Sequence, residues 1–385
     1  MRVLMLSTPV STHFASMVPV AWALRAAGHE LVVAGQPDIA AAVRDAGMNY
    51  AVFGPRFHAL DLLLPFLGGG DRPLQILGPA TAESLASGTR PWVLHSRYLL
   101  PRYLEFARSW RPDLILSEQF EFAGLVIGGA LGVPVVQHRW GVDMLAFAMR
   151  PAAEELLAGA CERLRLARLP EPDLILDPTP PELQLPELPP AQPVRPVPFN
   201  GTGSLPGWVH EPFPQSRRVC VSLGNQTLAL NGVPLLKNII AALGRLPGVQ
   251  AVVTAEPEYH AEIGTVPEHV LIVPPTPLSH FLHTCDAIVH HGGAGTTLTA
   301  LATGLPQLVL PQVVDLAGER LVATGAAISI RDPKEQDDPD IVADRLRAVL
   351  DEPHRAEAAA ALRDAVHAMP SPAQLVPRLE KLAGP

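Results

Sequence analysis

The chain predicts an α/β fold of two parallel-sheet lobes with a cleft between them. Short apolar runs alternate with helical patterns in both halves, and a proline-dense stretch separates the halves. At 385 residues the chain is long for one compact core and comfortable for two. Continuous apolar strands between helices indicate parallel sheets covered on both faces.

The first half opens with the apolar strand Arg2–Leu6 and a polar loop over 7–12. A helix is expected next, with Ser16 near its cap and Pro19 in its first turn, where a missing N–H does no harm. Val20, Ala23, Leu24 and Ala27 fall at i, i+3, i+4 and i+7 and give that helix one buried face. Gly28 stops it, and 31–34 reads as the next strand. The same unit recurs as strand 113–117, helix Ala123–Leu131 and strand 134–137. Residues 52–100, rich in Leu, Phe, Pro and Gly, read either as a mobile apolar wall for a ligand or as ordinary core helix and loop.

Twelve prolines lie between 178 and 214. That density sustains neither helix nor central strand, so the stretch reads as an ordered or semi-rigid connection. Strands are expected again at 219–224, 252–254, Val270–Val273, Ala287–His290 and 307–310, with helices between them. The expected division is 1–195 for the first lobe and 196–216 for the linker. The second lobe takes 217–370, and a closing helix in 371–385 packs back on the first lobe. Ligands of such sheets bind beyond the carboxyl ends of the strands.

Net charge is −9 with 17% charged residues, and no Lys/Arg stripe marks a nucleic-acid or anionic-membrane surface. A negative protein that binds phosphate must capture it with local groups. Cys161, Cys220 and Cys285 stand alone, as reduced and buried thiols do. Met1 runs straight into a strand pattern without a cleavage site, and no run approaches the ~18 apolar residues of a membrane span. A cytoplasmic location is expected.

The segment from Asp286 to Pro306 is the most informative. An apolar strand ends at His290-His291, and the turn Gly292-Gly293-Ala294-Gly295 opens a helix expected from Thr296 to Thr303. Free N–H groups at a helix start, reachable because glycines lack Cβ, form an anion site, and the helix dipole adds to it. His291 and the Thr296 hydroxyl offer further hydrogen bonds. The competing reading is a tight turn packed by glycines. The two histidines directly before the glycines favour phosphate.

His290-His-Gly-Gly-Ala-Gly-Thr296, with Pro277-Leu278, Phe281-Leu282 and Cys285-Asp286 before it, resembles the donor signature of bacterial natural-product glycosyltransferases, which are family 1-like. Trp110-Arg-Pro-Asp113, Leu131-Gly-Val-Pro134, Gly304-Leu-Pro-Gln307 and Met369-Pro-Ser-Pro372 extend the resemblance almost end to end. It implies the GT-B fold: an acceptor-binding and a nucleotide-sugar-binding Rossmann-like lobe with a cleft between them. The implied activity is inverting transfer of a deoxysugar from a dTDP-sugar to a hydrophobic polyketide-type aglycone in antibiotic biosynthesis. His291, Gly292, Gly293, Gly295 and Thr296 would hold the diphosphate, joined by Ser222 and Asn225 in the loop after the second lobe's first strand. The backbone around Thr276 and Leu278 would read the base edge. After Pro311 the chain departs from the family, which usually carries an aromatic residue and then Asp-Gln. Asp315 is left as the donor-sugar contact, with Glu319 competing.

By the same resemblance His13, between the first strand and first helix, would be the general base. Neutral imidazole suits that role. Glu118, at the end of a later strand, would be its orienting carboxylate, with Asp143 as the alternative. No metal site is apparent and no cofactor is expected beyond the dTDP-sugar co-substrate. Asp338-Pro339-Asp340 imitates a metal-binding Asp-x-Asp but reads better as a helix cap. The partners implied are donor and aglycone, with a homodimer or a cytochrome P450-like activator for some members. O- and C-glycosylation are not distinguished. Two other readings stand beside transfer: a nucleotide-sugar epimerase of the same fold, and a non-catalytic nucleotide-sugar-binding auxiliary protein. A dinucleotide oxidoreductase is disfavoured, because Ser7-Thr-Pro-Val10 follows the first strand where a Gly-x-Gly-x-x-Gly would be needed.

Overall fold

A computed structural model describes residues 1–77, 82–142, 145–211, 217–312 and 317–384; the side chains of 77, 82–87, 89 and 146 fall outside that description. The first lobe is a sheet of seven strands: β1 (Arg2–Leu6), β2 (Glu30–Gly35), β3 (Tyr50–Val52), β4 (Leu114–Glu118), β5 (Val135–His138), β6 (Leu174–Asp177) and β7 (Gln192–Pro193). Their order is β3-β2-β1-β4-β5-β6-β7. The second lobe has six: β8 (Arg217–Ser222), β9 (Val249–Thr254), β10 (Val270–Val273), β11 (Ala287–His290), β12 (Gln307–Val309) and β13 (Ala327–Ser329), in the order β10-β9-β8-β11-β12-β13. Every pairing is parallel. The fold class is therefore α/β, two Rossmann-like lobes.

Alternation of side chains across the pleat decides which face each residue serves. Val3 and Met5 of β1 bury against Phe14, Met17 and Leu24, while Leu4 and Leu6 bury on the other face against Ile115 and Leu99. The closing helix Pro372–Ala383 brings Leu375, Val376 and Leu379 into the same cluster as Phe14 and Met17. Residues that follow β7 bridge the lobes: Val194 and Phe199 pack with the first lobe's core, whereas Val209 is buried with Cys220 and Phe281 and Asn200 donates to Thr299 Oγ1 at 3.1 Å. The prolines do leave room for β7, two residues at the sheet edge, where a missing N–H faces no partner strand.

The first helix corrects the sequence reading. It runs Ser11–Ala26, so it starts before Ser16, and Pro19 lies in its interior. Val10 is extended and sets the boundary, and Phe14, Met17 and Val18 already bury against the sheet in the first turns. Their packing outweighs the interior proline, which alone would cost ~3 kcal/mol. His13 therefore stands in the first turn of a helix instead of a loop. Of the expected face, Val20 and Leu24 are buried and Ala23 is half-buried, whereas Ala27 is exposed; Phe14, Met17, Val18 and Ala21 complete the buried face. The helix expected from Thr296 begins at Ala294, because Gly293 serves as its extended cap. A long helix, Ala82–Trp110, takes up much of the stretch read as mobile or core.

In both sheets the strand order reverses at the centre, between β1 and β4 and between β8 and β11, while the strands stay parallel. In open α/β sheets that switch point, beyond the carboxyl ends of the strands, is where ligands sit. The two switch points open onto one cleft of about 1480 Å³ lined by both lobes. The lobes meet closely there: a Cβ on Gly141, after β5, would stand 2.8 Å from Ala294 Cβ, at the start of the helix after β11. Among the described residues no helix is long and apolar enough to cross a membrane.

Candidate active site

At the first lobe's switch point, three loops converge on His13. Thr8, just after β1, places its hydroxyl 2.8 Å from His13 Nδ1. Its backbone N–H donates to Glu118 Oε1 at 3.2 Å. Glu118 ends β4 and is fully buried; its Oε2 accepts from the Phe120 N–H and from the Trp140 indole N–H, both at 2.9 Å. That same indole stacks on the His13 ring, centroids 4.4 Å apart and 18° from parallel. Phe120 meets the ring edge-on at 5.7 Å, and Trp92 from the long helix stands 5.9 Å away.

The contact expected between Glu118 and the imidazole is thus made by Thr8, with Glu118 one step behind it. The carboxylate fixes both neighbours of the ring, the threonine that orients it and the indole that covers it. Burial in this aromatic cage lowers the His13 pKa to about 3, so the ring is neutral at physiological pH. Burial also raises the pKa of Glu118, against the hydrogen bonds from Phe120, Trp140 and Thr8. If Nδ1–H donates to Thr8 Oγ1, Nε2 keeps a free lone pair.

At the second switch point the two histidines divide the work. His290 is fully buried; its Nδ1 accepts the Gly292 N–H at 3.1 Å, so Nε2–H donates to Gln307 Oε1 at 2.9 Å. Both bonds require the neutral tautomer, and burial, with His291 beside it, lowers its pKa to about 3. His290 therefore pins the turn. His291 is half-buried, and its Nδ1 has no hydrogen-bond partner of normal geometry. Burial lowers its pKa to about 4, against the raising effect of the Ser222 backbone.

Two glycines make room for the His291 ring. A Cβ on Gly293 would lie 2.4 Å from His291 Nε2, and one on Gly224, where φ is +75°, would lie 3.1 Å from Cε1. The following helix, Ala294–Thr303, starts without a side-chain cap, which leaves its first-turn N–H groups free. Thr297 Oγ1 is buried there without a partner.

The remaining expected donor residues gather around this turn. Ser222 ends β8 in register with His290, Asn225 is exposed two residues beyond Leu223, and Gly292, Gly295 and Thr296 line the same cleft. Thr276 and Leu278 lie farther along its wall, and the Thr276 hydroxyl donates to Pro274 O at 2.9 Å. Asp315 and the alternative carboxylate Asp143 lie outside the described residues. Glu319 pairs with Arg331 at 2.6 Å. Asp338 accepts from Asp340 N–H at 2.9 Å and caps a helix. Sequence reasoning missed Thr8, Trp92, Phe120 and Trp140. Thr8, Phe120 and Trp140 follow the carboxyl ends of β1, β4 and β5, which a search of those loops alone would have collected.

A parallel two-lobed fold with an imidazole at one switch point and a glycine-rich turn at the other is that of the GT-B glycosyltransferases. The chain belongs to the EryCIII-like family: residues 22–224 match the erythromycin biosynthesis protein CIII-like N-terminal domain and 237–382 the C-terminal domain. Among its relatives, tylactone mycaminosyltransferase of Streptomyces fradiae is 36% identical, over 99% of this chain and 92% of that protein. The 10-deoxymethynolide desosaminyltransferase of Streptomyces venezuelae is 33% identical, over 100% and 97%. Among solved structures, spinosyn rhamnosyltransferase SpnG superposes with a TM-score of 0.87 at 38% identity, covering 98% of this chain and 100% of SpnG. SpnG has been solved complexed with thymidine diphosphate and with spinosyn aglycone. The glycosyltransferase SnogD from Streptomyces nogalater gives a TM-score of 0.81 at 32% identity, over 100% and 99%.

Proposed function

We propose that this protein transfers a deoxysugar from a dTDP-sugar to a hydrophobic polyketide-type aglycone, with inversion at the anomeric carbon. The observation that carries the reading is the opposition of two histidines across one cleft. His13 is held neutral by its cage, and His291 is set among free helix N–H groups.

In this mechanism the acceptor hydroxyl gives its proton to His13 Nε2 as its oxygen attacks C1 of the sugar. The bond from C1 to the β-phosphate oxygen breaks, and its electron pair leaves with dTDP. Burial alone brings the His13 pKa to about 3; a bound diphosphate adds negative charge that favours the imidazolium. The developing charge on the diphosphate meets the N–H groups that begin the helix Ala294–Thr303, with His291 and the Thr296 hydroxyl. No metal is needed for that neutralisation. The aromatic cage and the Leu60, Leu62, Leu63 and Phe66 stretch that lines the cleft suit a flat or macrocyclic apolar acceptor. The complexes of SpnG with thymidine diphosphate and with an aglycone support both ligand classes.

The test is turnover of dTDP-glucose and dTDP-rhamnose against a panel of macrolactone and anthracycline aglycones, followed by mass spectrometry and dTDP release. The assay is run with and without a cytochrome P450-like activator. Glycosylated product is expected. A protein that binds dTDP but releases none from any donor would be an auxiliary protein instead.

A further inference from the structure

Arg72 belongs to the first lobe by sequence, yet its guanidinium is buried in the second, with only 3% of its side chain exposed. Among the described residues, every hydrogen bond of its side chain goes there. Nη1 donates to Gln336 Oε1 at 2.7 Å and to Gln312 Oε1 at 3.2 Å. Nη2 pairs with Asp337 Oδ1 at 2.7 Å and reaches the Pro333 carbonyl at 3.4 Å. The flanking loop docks on the same lobe: Asn231 Nδ2 donates to the carbonyls of Asp71 and Gly68 at 2.9 and 3.3 Å. Asn231 holds a left-handed backbone, φ +62°, uncommon for a residue with a Cβ.

Gln312 lines the cleft and is held by its own network, donating to the Leu310 and Pro311 carbonyls at 3.0 and 2.9 Å. It immediately precedes 313–316, where the sequence places the donor-sugar contact Asp315. On the other side, Leu60, Leu62, Leu63 and Phe66, just before the docked loop, line the acceptor end of the cleft. One arginine thus ties the acceptor-side loop to the residue that leads into the donor-sugar segment.

We propose that Arg72 is a positioning residue that registers the acceptor lobe on the donor lobe through Gln312, Gln336 and Asp337. The effect on turnover rests on the transfer reading above; the docking itself does not. Rigid fork geometry suits this task, since a planar guanidinium can serve three acceptors at once, which an ammonium on a flexible stem does less well. Misplacing reactants by about 1 Å can cost ~10²-fold in rate.

The test compares wild type, Arg72→Ala and Arg72→Lys by dTDP affinity, by kcat with saturating donor and acceptor, and by hydrogen exchange without ligand. Arg72→Ala should lower kcat by ~10- to 100-fold while dTDP affinity stays within about twofold, because the nucleotide is held by second-lobe residues. The amides of 68–75 should lose protection, and Arg72→Lys should fall between the two. Asp337→Asn, at a half-exposed position, should move both readouts the same way and serves if Arg72→Ala does not fold. Near-normal kcat with unchanged protection would overturn the proposal, as would an equal loss of dTDP affinity. If the wild type transfers nothing, the functional reading fails, and hydrogen exchange still decides the docking.

Discussion

Thr8 Oγ1 lies 2.8 Å from Nδ1 of His13, while the Thr8 backbone N–H donates to Glu118 Oε1 at 3.2 Å. A hydroxyl therefore sets the ring orientation, and the acid chemistry is one residue removed. Thr8→Val keeps the shape and removes the acceptor for Nδ1–H. We expect kcat to drop ~10-fold or more with dTDP affinity unchanged, because the ring loses its fixed tautomer. Steady-state kinetics beside calorimetric dTDP titration checks this. A variant with normal kcat would show that the cage alone orients His13.

Glu118 receives three N–H donors on two buried oxygens. In Glu118→Gln one of those oxygens becomes a donor that faces another donor. A buried unsatisfied polar group costs ~1–3 kcal/mol, so the unfolding midpoint in urea should fall. Turnover should fall with it, since Trp140 and Thr8 both lose their anchor, while dTDP binding on the other lobe persists. Full stability in this variant would mean the network rearranges without loss.

Gly293→Ala would place a Cβ 2.4 Å from His291 Nε2, so the ring must leave its place. The backbone there has φ −62° and accepts alanine, which confines the damage to the histidine. The expected result is a rise of ~10-fold or more in the dTDP dissociation constant, the size of one or two charge-assisted hydrogen bonds. Unchanged affinity would remove His291 from diphosphate binding.

Acid should destabilise the fold through its buried histidines. Burial lowers the pKa of His138 to about 4 and of His290 to about 3, against 6.5 for the unfolded chain. Between those values the unfolded state binds more protons, so stability rises with pH across that window and is lost as pH falls below 6.5. Each contributes up to ~1.4 kcal/mol per pH unit in that window. Urea midpoints at pH 7, 6 and 5 should decline, and His290→Gln should flatten the decline. With His13 lowered to about 3, kcat/KM should show no acid limb near pH 6.5 as long as the protein stays folded.

Much of this architecture was legible because the relevant signals are local. The β11 strand, the glycines and the two histidines are contiguous, so strand end, turn and anion site could be read together. The helix Ala123–Leu131 and strand β10 were bounded correctly by glycine and proline punctuation. The cage around His13 was not legible. Thr8, Trp92, Phe120 and Trp140 are scattered over more than 130 residues and meet only when the sheet closes. The first helix was misplaced because Pro19 suggested a start, whereas buried Phe14 and Met17 carried the helix through it. Arg72 carries no motif at all. Its role exists only in the juxtaposition of two lobes.

The most direct test of the central claim is the kcat of His13→Ala measured beside its dTDP affinity. Loss of a general base predicts a fall of ~10²–10⁴-fold in kcat with dTDP still bound normally. Turnover close to wild type would contradict the assignment of acceptor deprotonation to His13.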